Sequence, residues 1–140
     1  VIERTLSIVK PDAVAKHATG AILAQCERAG LRIQATKMLR MTKRQAEAFY
    51  AVHRTKPFFD DLTTFMSEGP IVVSVLEGES AIARYRKELG DTNPAKAEPG
   101  TIRKQHGTNI ERNAAHGSDG PETAAFEIGF FFAQIEQQTG

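Results

Sequence analysis

Short β-branched runs alternate along this chain with segments of helical period, and their order limits the architectures open to it. Thr5–Val9 alternates and predicts a strand, and Lys10-Pro11-Asp12 ends it because proline cannot donate to a ladder. Between Gly20 and Gly30, Ile22, Leu23, Cys26 and Ala29 fall at helical spacing, with Gly30 as the stop. Leu31–Leu39 alternates again, setting Leu31, Ile33 and Ala35 on one side and Arg32, Gln34 and Thr36 on the other. Thr42 suits the cap of a helix from Lys43 to about His53. A short helix is expected over Phe58–Met66, a buried strand over Pro70–Leu76 and an amphipathic helix over Glu79–Leu89. Pro121 to about Ile128 reads as a helix, Phe130–Phe132 as a closing aromatic strand, and the tail Glu136–Gly140 as frayed. This order predicts an α+β fold, a ferredoxin-like sandwich: a four-stranded antiparallel sheet with helices packed on it, all on one face. With 140 residues, no repeat and no linker, 1–140 reads as a single domain.

From Gly90 to Gly120 the periodicity disappears, and loops this long inside compact domains are usually functional. Charge gathers there too. Arg84 to Arg112 holds seven basic and four acidic residues in a chain whose net charge is +1. So balanced a total does not suggest nucleic-acid binding by bulk charge, and no nucleic-acid partner is expected. A local positive region suits a small anionic ligand, with a solvated mixed-charge face as the plain alternative. No apolar run is long enough to span a bilayer, so no membrane partner is expected, and Val1–Thr5 shows no leader pattern. One cysteine, Cys26, cannot form an internal disulfide; it fits core packing and a reducing, cytoplasmic setting. Four histidines without ligand spacing build no protein metal site.

Neither glycine-rich phosphate loop occurs, so side chains would have to hold any nucleotide phosphates. The densest polar constellation is Asn113-Ala-Ala-His116-Gly-Ser118-Asp119-Gly-Pro-Glu122. Asp119 and Glu122 have capping-box spacing, which starts a helix just after Ser118 and sets His116 near its positive end. A neutral imidazole there is a competent nucleophile. On these residues alone, a capped polar loop with an incidental histidine is the simpler reading. Arg86 and Arg103 flank the long loop and could chelate phosphate, although either alone is more simply a surface ion pair. Phe58 could be core or an exposed stacking ring, Lys10 a surface charge or a site residue at a strand end. His17 and His106 read as surface, and His53 as a helix-end residue.

Taken together, Glu3–Val14, Phe49–Phe59, Gly69-Pro70, Leu76–Gly78, Thr92-Asn-Pro94, Pro99–Arg103 and Asn113–Asp119 resemble the nucleoside diphosphate kinase family over nearly the whole chain. The resemblance implies transfer of the γ-phosphate of a nucleoside triphosphate, typically ATP, to a nucleoside diphosphate by a ping-pong route through a phosphohistidine on His116. It implies that Glu127 holds the His116 ring, with Ser118 supporting that carboxylate. Lys10 and Asn113 would contact the ribose, with Lys10 and Tyr50 close to the transferred group. Arg86, Thr92 and Arg103 would bind the outer phosphates, His53 would lie near the innermost, and Phe58 and Ile110 would sandwich the base. Mg2+ would ride on the nucleotide phosphates without dedicated protein ligands, and a homo-oligomer is implied. Gln105-His106 and Gly120-Pro121 depart from the usual family pattern, but every residue given a role is present. A silent module on the same fold would have lost one of His116, Lys10 or Arg103. An RNA-binding module would carry strand aromatics that Leu31–Leu39 lacks.

Overall fold

The computed structural model describes residues 1–138. Along the chain run β1 (Ile2–Val9), α1 (Pro11–Ala15), α2 (Thr19–Arg28), β2 (Arg32–Leu39), α3 (Lys43–Phe49), α4 (Phe59–Ser67), β3 (Ile71–Glu79), α5 (Ala81–Leu89), α6 (Ile102–His106), β4 (Ala115–Gly117) and α7 (Pro121–Phe131). The strands form one antiparallel sheet of order β2-β3-β1-β4, with Ser7 opposite Ser74 at its centre. The four-stranded α+β architecture expected from the sequence is the one observed.

Helices cover both faces of the sheet, however, not one. Leu6, Ile8, Val73 and Val75 pack with Phe49, Phe65, Ile128 and Phe131, under α3, α4 and α7. On the opposite face Val9, Val72 and Leu76 pack with Ile22, Cys26, Tyr85, Leu89 and Ile102, under α2, α5 and α6. A strand buried on both faces reads as a continuous apolar run, which is why Ile71–Leu76 carries five apolar residues in six and does not alternate. Cys26 packs in this second cluster, as expected.

Several local expectations change. The β2–β3 register slips between Ile33 and Ala35, so the extra residue Gln34 sends the two to opposite faces. Ile33 therefore packs with the α2/α5 cluster and Ala35 with the α3/α4/α7 cluster. Thr42 does cap α3: its hydroxyl accepts from the Gln45 N–H at 3.1 Å, and the Gln45 side chain accepts from the Thr42 N–H at 2.9 Å. That helix ends at Phe49, and a 3-10 turn, Ala51–His53, follows. β3 runs on to Glu79, and Ser80, at φ +49°, turns the chain into α5.

The fourth strand is Ala115–Gly117, inside the stretch that lacked periodicity, and not Phe130–Phe132. Phe130 and Phe131 close α7, because the four-residue spacing of Phe126 and Phe130 sets their tilted rings on one helical face (centroids 6.1 Å apart) beside Phe49. Three adjacent aromatics carry no period of their own. The same stretch also holds a 3-10 turn at Pro94–Lys96 and the short α6. In the tail, the Gln138 N–H donates to the Gln34 carbonyl at 2.9 Å and Arg4 donates to the Gln137 side chain at 3.0 Å. The remainder of the tail, 139–140, lies outside the described residues.

Candidate active site

β4 is short because a tight turn delivers it. Ala114 has φ +77°, and the Ala115 N–H donates to the Asn113 carbonyl at 2.9 Å, a γ-turn that a residue with a Cβ seldom adopts. Two contacts from the β1–α1 junction hold it. The Lys10 N–H donates to the Ala114 carbonyl at 2.8 Å, and Asp12 Oδ2 accepts from the Ala114 N–H at 3.0 Å. The chain then pairs Ile8 with His116. His116 thus faces the side of the sheet that α7 covers. Gly117 faces α5, where a Cβ would meet Tyr85 at 2.8 Å and Leu89 at 2.9 Å.

The His116 ring is fixed from α7. Its Nε2 lies 2.9 Å from Glu127 Oε1, and the Ser118 hydroxyl donates to the same oxygen at 2.7 Å while accepting from the Leu6 N–H at 3.2 Å. A carboxylate accepts only, so Nε2 carries the ring proton and Nδ1 keeps its lone pair. The helix expected just after Ser118 starts slightly later. α7 begins at Pro121, Gly120 precedes it, and the ring lies against the second turn through Glu127. Asp119 and Glu122 do not form the cap either. Thr123 does that work, accepting from the Gly120 N–H at 3.0 Å and donating to Asp119 at 2.6 Å. Pro121 at the first helical position explains the departure at Gly120-Pro121, since its missing N–H is not needed there.

Two arginines flank the histidine. Arg103 donates to the Ala115 carbonyl at 3.0 Å and the Gly90 carbonyl at 3.1 Å, and Arg86 donates to the Gly117 carbonyl at 3.2 Å. The carbonyls on either side of His116 are thus taken by guanidinium groups. Lys10, 7% exposed, donates from Nζ to Asn113 Oδ1 at 2.8 Å, and Asn113 donates in turn to the Thr92 carbonyl at 3.1 Å. Among the described residues no carboxylate pairs with Lys10, Arg86 or Arg103. The direct hydrogen-bond partners of these three cations are neutral, and acids such as Asp12, Glu111 and Asp91 act on Lys10 and Arg103 without an ion pair. Burial, aided by Arg103, pushes Lys10 down to about 8 against the pull of Asp12 and Glu111. Burial first and Arg86 second also lower Arg103, against Tyr85 and Asp91.

One cleft, lined by Tyr50, His53, Arg86, Thr92, Arg103, His116 and Glu127 among others, gathers most of the residues singled out from the sequence. Among the described residues the buried Tyr50 hydroxyl has no protein partner, and burial together with Glu127 raises its pKa, so it stays protonated. Lys10 and Asn113 are not among the residues lining the cleft but are linked to it, since Asn113 donates to the carbonyl of Thr92. Phe58 lies beside His53, with ring centroids 5.7 Å apart, and is 47% exposed. Ile110, 60% exposed, is not among the residues lining the cleft. Sequence reasoning missed Asp12, which was read only as part of a strand stop, and Ala114, whose left-handed backbone leaves no mark on residue type. Gln105, a departure from the family pattern, links α6 to α2 by donating to Gln25 Oε1 at 3.1 Å. Among the described residues no group of acids, histidines and cysteines could cage a metal ion. The acids of the cleft, Asp119 and Glu127, are already bonded to Thr123 and to His116 and Ser118. No helix among the described residues is long and apolar enough to cross a membrane.

The profile of the nucleoside diphosphate kinase family matches residues 3–137. The chain is 59% identical to a nucleoside diphosphate kinase of Nitratidesulfovibrio vulgaris over 97% of its own length and 98% of that protein's. It is 61% identical to one from Bradyrhizobium diazoefficiens over 96% of each. Among solved structures it superposes on the Aquifex aeolicus nucleoside diphosphate kinase with a TM-score of 0.97 at 49% identity, covering 99% of this chain and 100% of that one. It superposes on the Halobacterium salinarum nucleoside diphosphate kinase in complex with CDP with a TM-score of 0.95 at 37% identity, covering 100% and 93%.

Proposed function

Since the chain belongs to the nucleoside diphosphate kinase family and is an enzyme that transfers phosphate between nucleotides, we propose that it works in two half-reactions through a phosphohistidine on His116. The Nδ1 lone pair attacks the γ-phosphorus of a nucleoside triphosphate, typically ATP. The bond from that phosphorus to the bridging oxygen breaks, and the diphosphate leaves with the electron pair. As the N–P bond forms, positive charge develops on the ring, and Glu127, held by Ser118, sits against Nε2 to balance it. A terminal oxygen of a second nucleoside diphosphate then attacks the phosphorus, and the N–P electrons return to Nδ1.

The remaining roles are those the family resemblance implies, and the charge and grouping of the cleft residues support them. Lys10, Arg86 and Arg103 neutralise phosphate oxygens, Thr92 adds a contact to the outer phosphates, and the Tyr50 hydroxyl donates beside the transferred group. His53 lies near the innermost phosphate, Lys10 and Asn113 meet the ribose, and Phe58 with Ile110 sandwiches the base. Mg2+ fits as an ion carried by nucleotide phosphates and water, because the cleft offers no free carboxylate cage; it neutralises phosphate charge when bound. Domain 1–140 acts as one unit, in a homo-oligomer, and the lone buried Cys26 suits the cytoplasm.

The observation that carries this reading is the His116–Glu127–Ser118 chain together with three cations that, among the described residues, form no ion pair. Incubation with γ-labelled ATP tests it. The protein should take up label that hot acid releases and alkali does not, pass it to GDP, and lose all of it in His116→Ala. Label that persists in that variant, or that survives hot acid, overturns the assignment.

A further inference from the structure

Lys10-Pro11-Asp12 enters the mechanism through its lysine alone, yet the Asp12 side chain bonds directly to the backbone that carries the nucleophile. It is 7% exposed, in the first turn of α1. Oδ2 accepts from the Ala114 N–H at 3.0 Å, and Oδ1 is buried with no protein partner among the described residues. Ala114 is the residue at φ +77°. One side of it carries Asn113, bound to Lys10 Nζ, and two residues beyond it stands His116. A γ-turn centred on a residue with a Cβ relaxes unless its surroundings hold it. The Ala114 peptide is held at both polar groups: its carbonyl by the Lys10 N–H, its N–H by Asp12.

We propose that Asp12 is a positioning residue for phosphoryl transfer, whose carboxylate clamps Ala114 in its strained turn and so sets His116 in line with the phosphorus. The proposal rests on the reading of His116 as nucleophile. Among the described residues the one side-chain hydrogen bond of Asp12 goes to the Ala114 N–H, not to the His116 ring. It acts through the backbone, and a displacement of about 1 Å at a nucleophile costs on the order of 100-fold in rate.

The test is the rate of phosphoenzyme formation from ATP by rapid quench, over a range of ATP concentrations, with hydrogen exchange of the Ala114 amide read in parallel. Asp12→Ala should lower the saturating rate by about 100-fold, change the half-saturating ATP concentration far less, and free the Ala114 amide to exchange. Asp12→Asn keeps an oxygen acceptor and should retain most of both rate and protection. In a chain carrying Ala114→Gly, where the left-handed backbone costs little, Asp12→Ala should lose markedly less rate than in the Ala114 chain. Equal losses in Asn and Ala variants, equal losses in the two backgrounds, or an unchanged rate in Asp12→Ala would each overturn the clamp. Absence of any phosphoenzyme in the unaltered protein would instead overturn the His116 reading. The amide exchange then still reports whether Asp12 holds the turn.

Discussion

At the scale of single residues, the site depends on which groups are charged and which are not. Lys10 works as a cation, but burial brings its pKa to about 8, so it is charged below that pH and neutral above it. We expect kcat/KM to decline on the alkaline side as the free enzyme loses that proton. A profile measured from about pH 7 to pH 10 that stays flat would remove the Lys10 charge from the account. Lys10→Arg should carry its charge through the range and shift the decline upward, because a guanidinium does not deprotonate there. Tyr50 shows the opposite case: burial and Glu127 both favour the neutral phenol, so it can donate at every pH where the fold persists.

At the scale of elements, the sheet's central strands were legible because their apolar runs are long and punctuated, and Thr42 was legible as a cap because its chemistry is local. β4 was not. It has three residues, and Arg86, Arg103 and β1 hold it, all of them distant in sequence. The bulge at Gln34 was equally hidden, since strand alternation assumes a register that only β3 sets. The roles given to the site residues came from the resemblance, while the residues themselves showed only a polar cluster and a basic stretch. Far from the cleft, Glu77 joins three strands by accepting from Arg4 on β1 at 2.8 Å and from Arg32 and Gln34 on β2 at 2.7 and 3.2 Å. Arg32 first and Arg4 second hold its carboxyl down at about 2, against an ordinary 4.5. A depressed carboxyl contributes its full stabilisation above the unfolded value and loses it as pH falls through the folded one. The melting temperature should therefore drop between those two pH values, and Glu77→Gln should show a shallower drop from a lower start. Parallel slopes in the two proteins would show that the strand-joining carboxylate is not responsible.

At the scale of the whole molecule, the cleft gathers arginines around His116, while the exposed Phe58 ring lies beside His53. Phe58, exposed beside His53, offers stacking that every base can use, worth roughly 1–3 kcal/mol in nucleic-acid binders. We expect kcat/KM for GDP, ADP, CDP and UDP as acceptors to differ modestly, with purines ahead by stacking area. Phe58→Ala should narrow that gap while leaving phosphoenzyme formation intact. A preference of about a thousandfold for one base needs roughly 4 kcal/mol, which stacking does not supply. α7 joins this chemistry to the body of the protein. Glu127 bonds the His116 ring, and the next residue, Ile128, together with Phe131, is buried against the sheet. The helix cannot loosen its grip on the core without also releasing the imidazole. Heat should consequently leave no folded but inactive regime. Loss of turnover and loss of the near-ultraviolet dichroism of the aromatic cluster should share one midpoint, and activity that disappears well below that midpoint would separate the two.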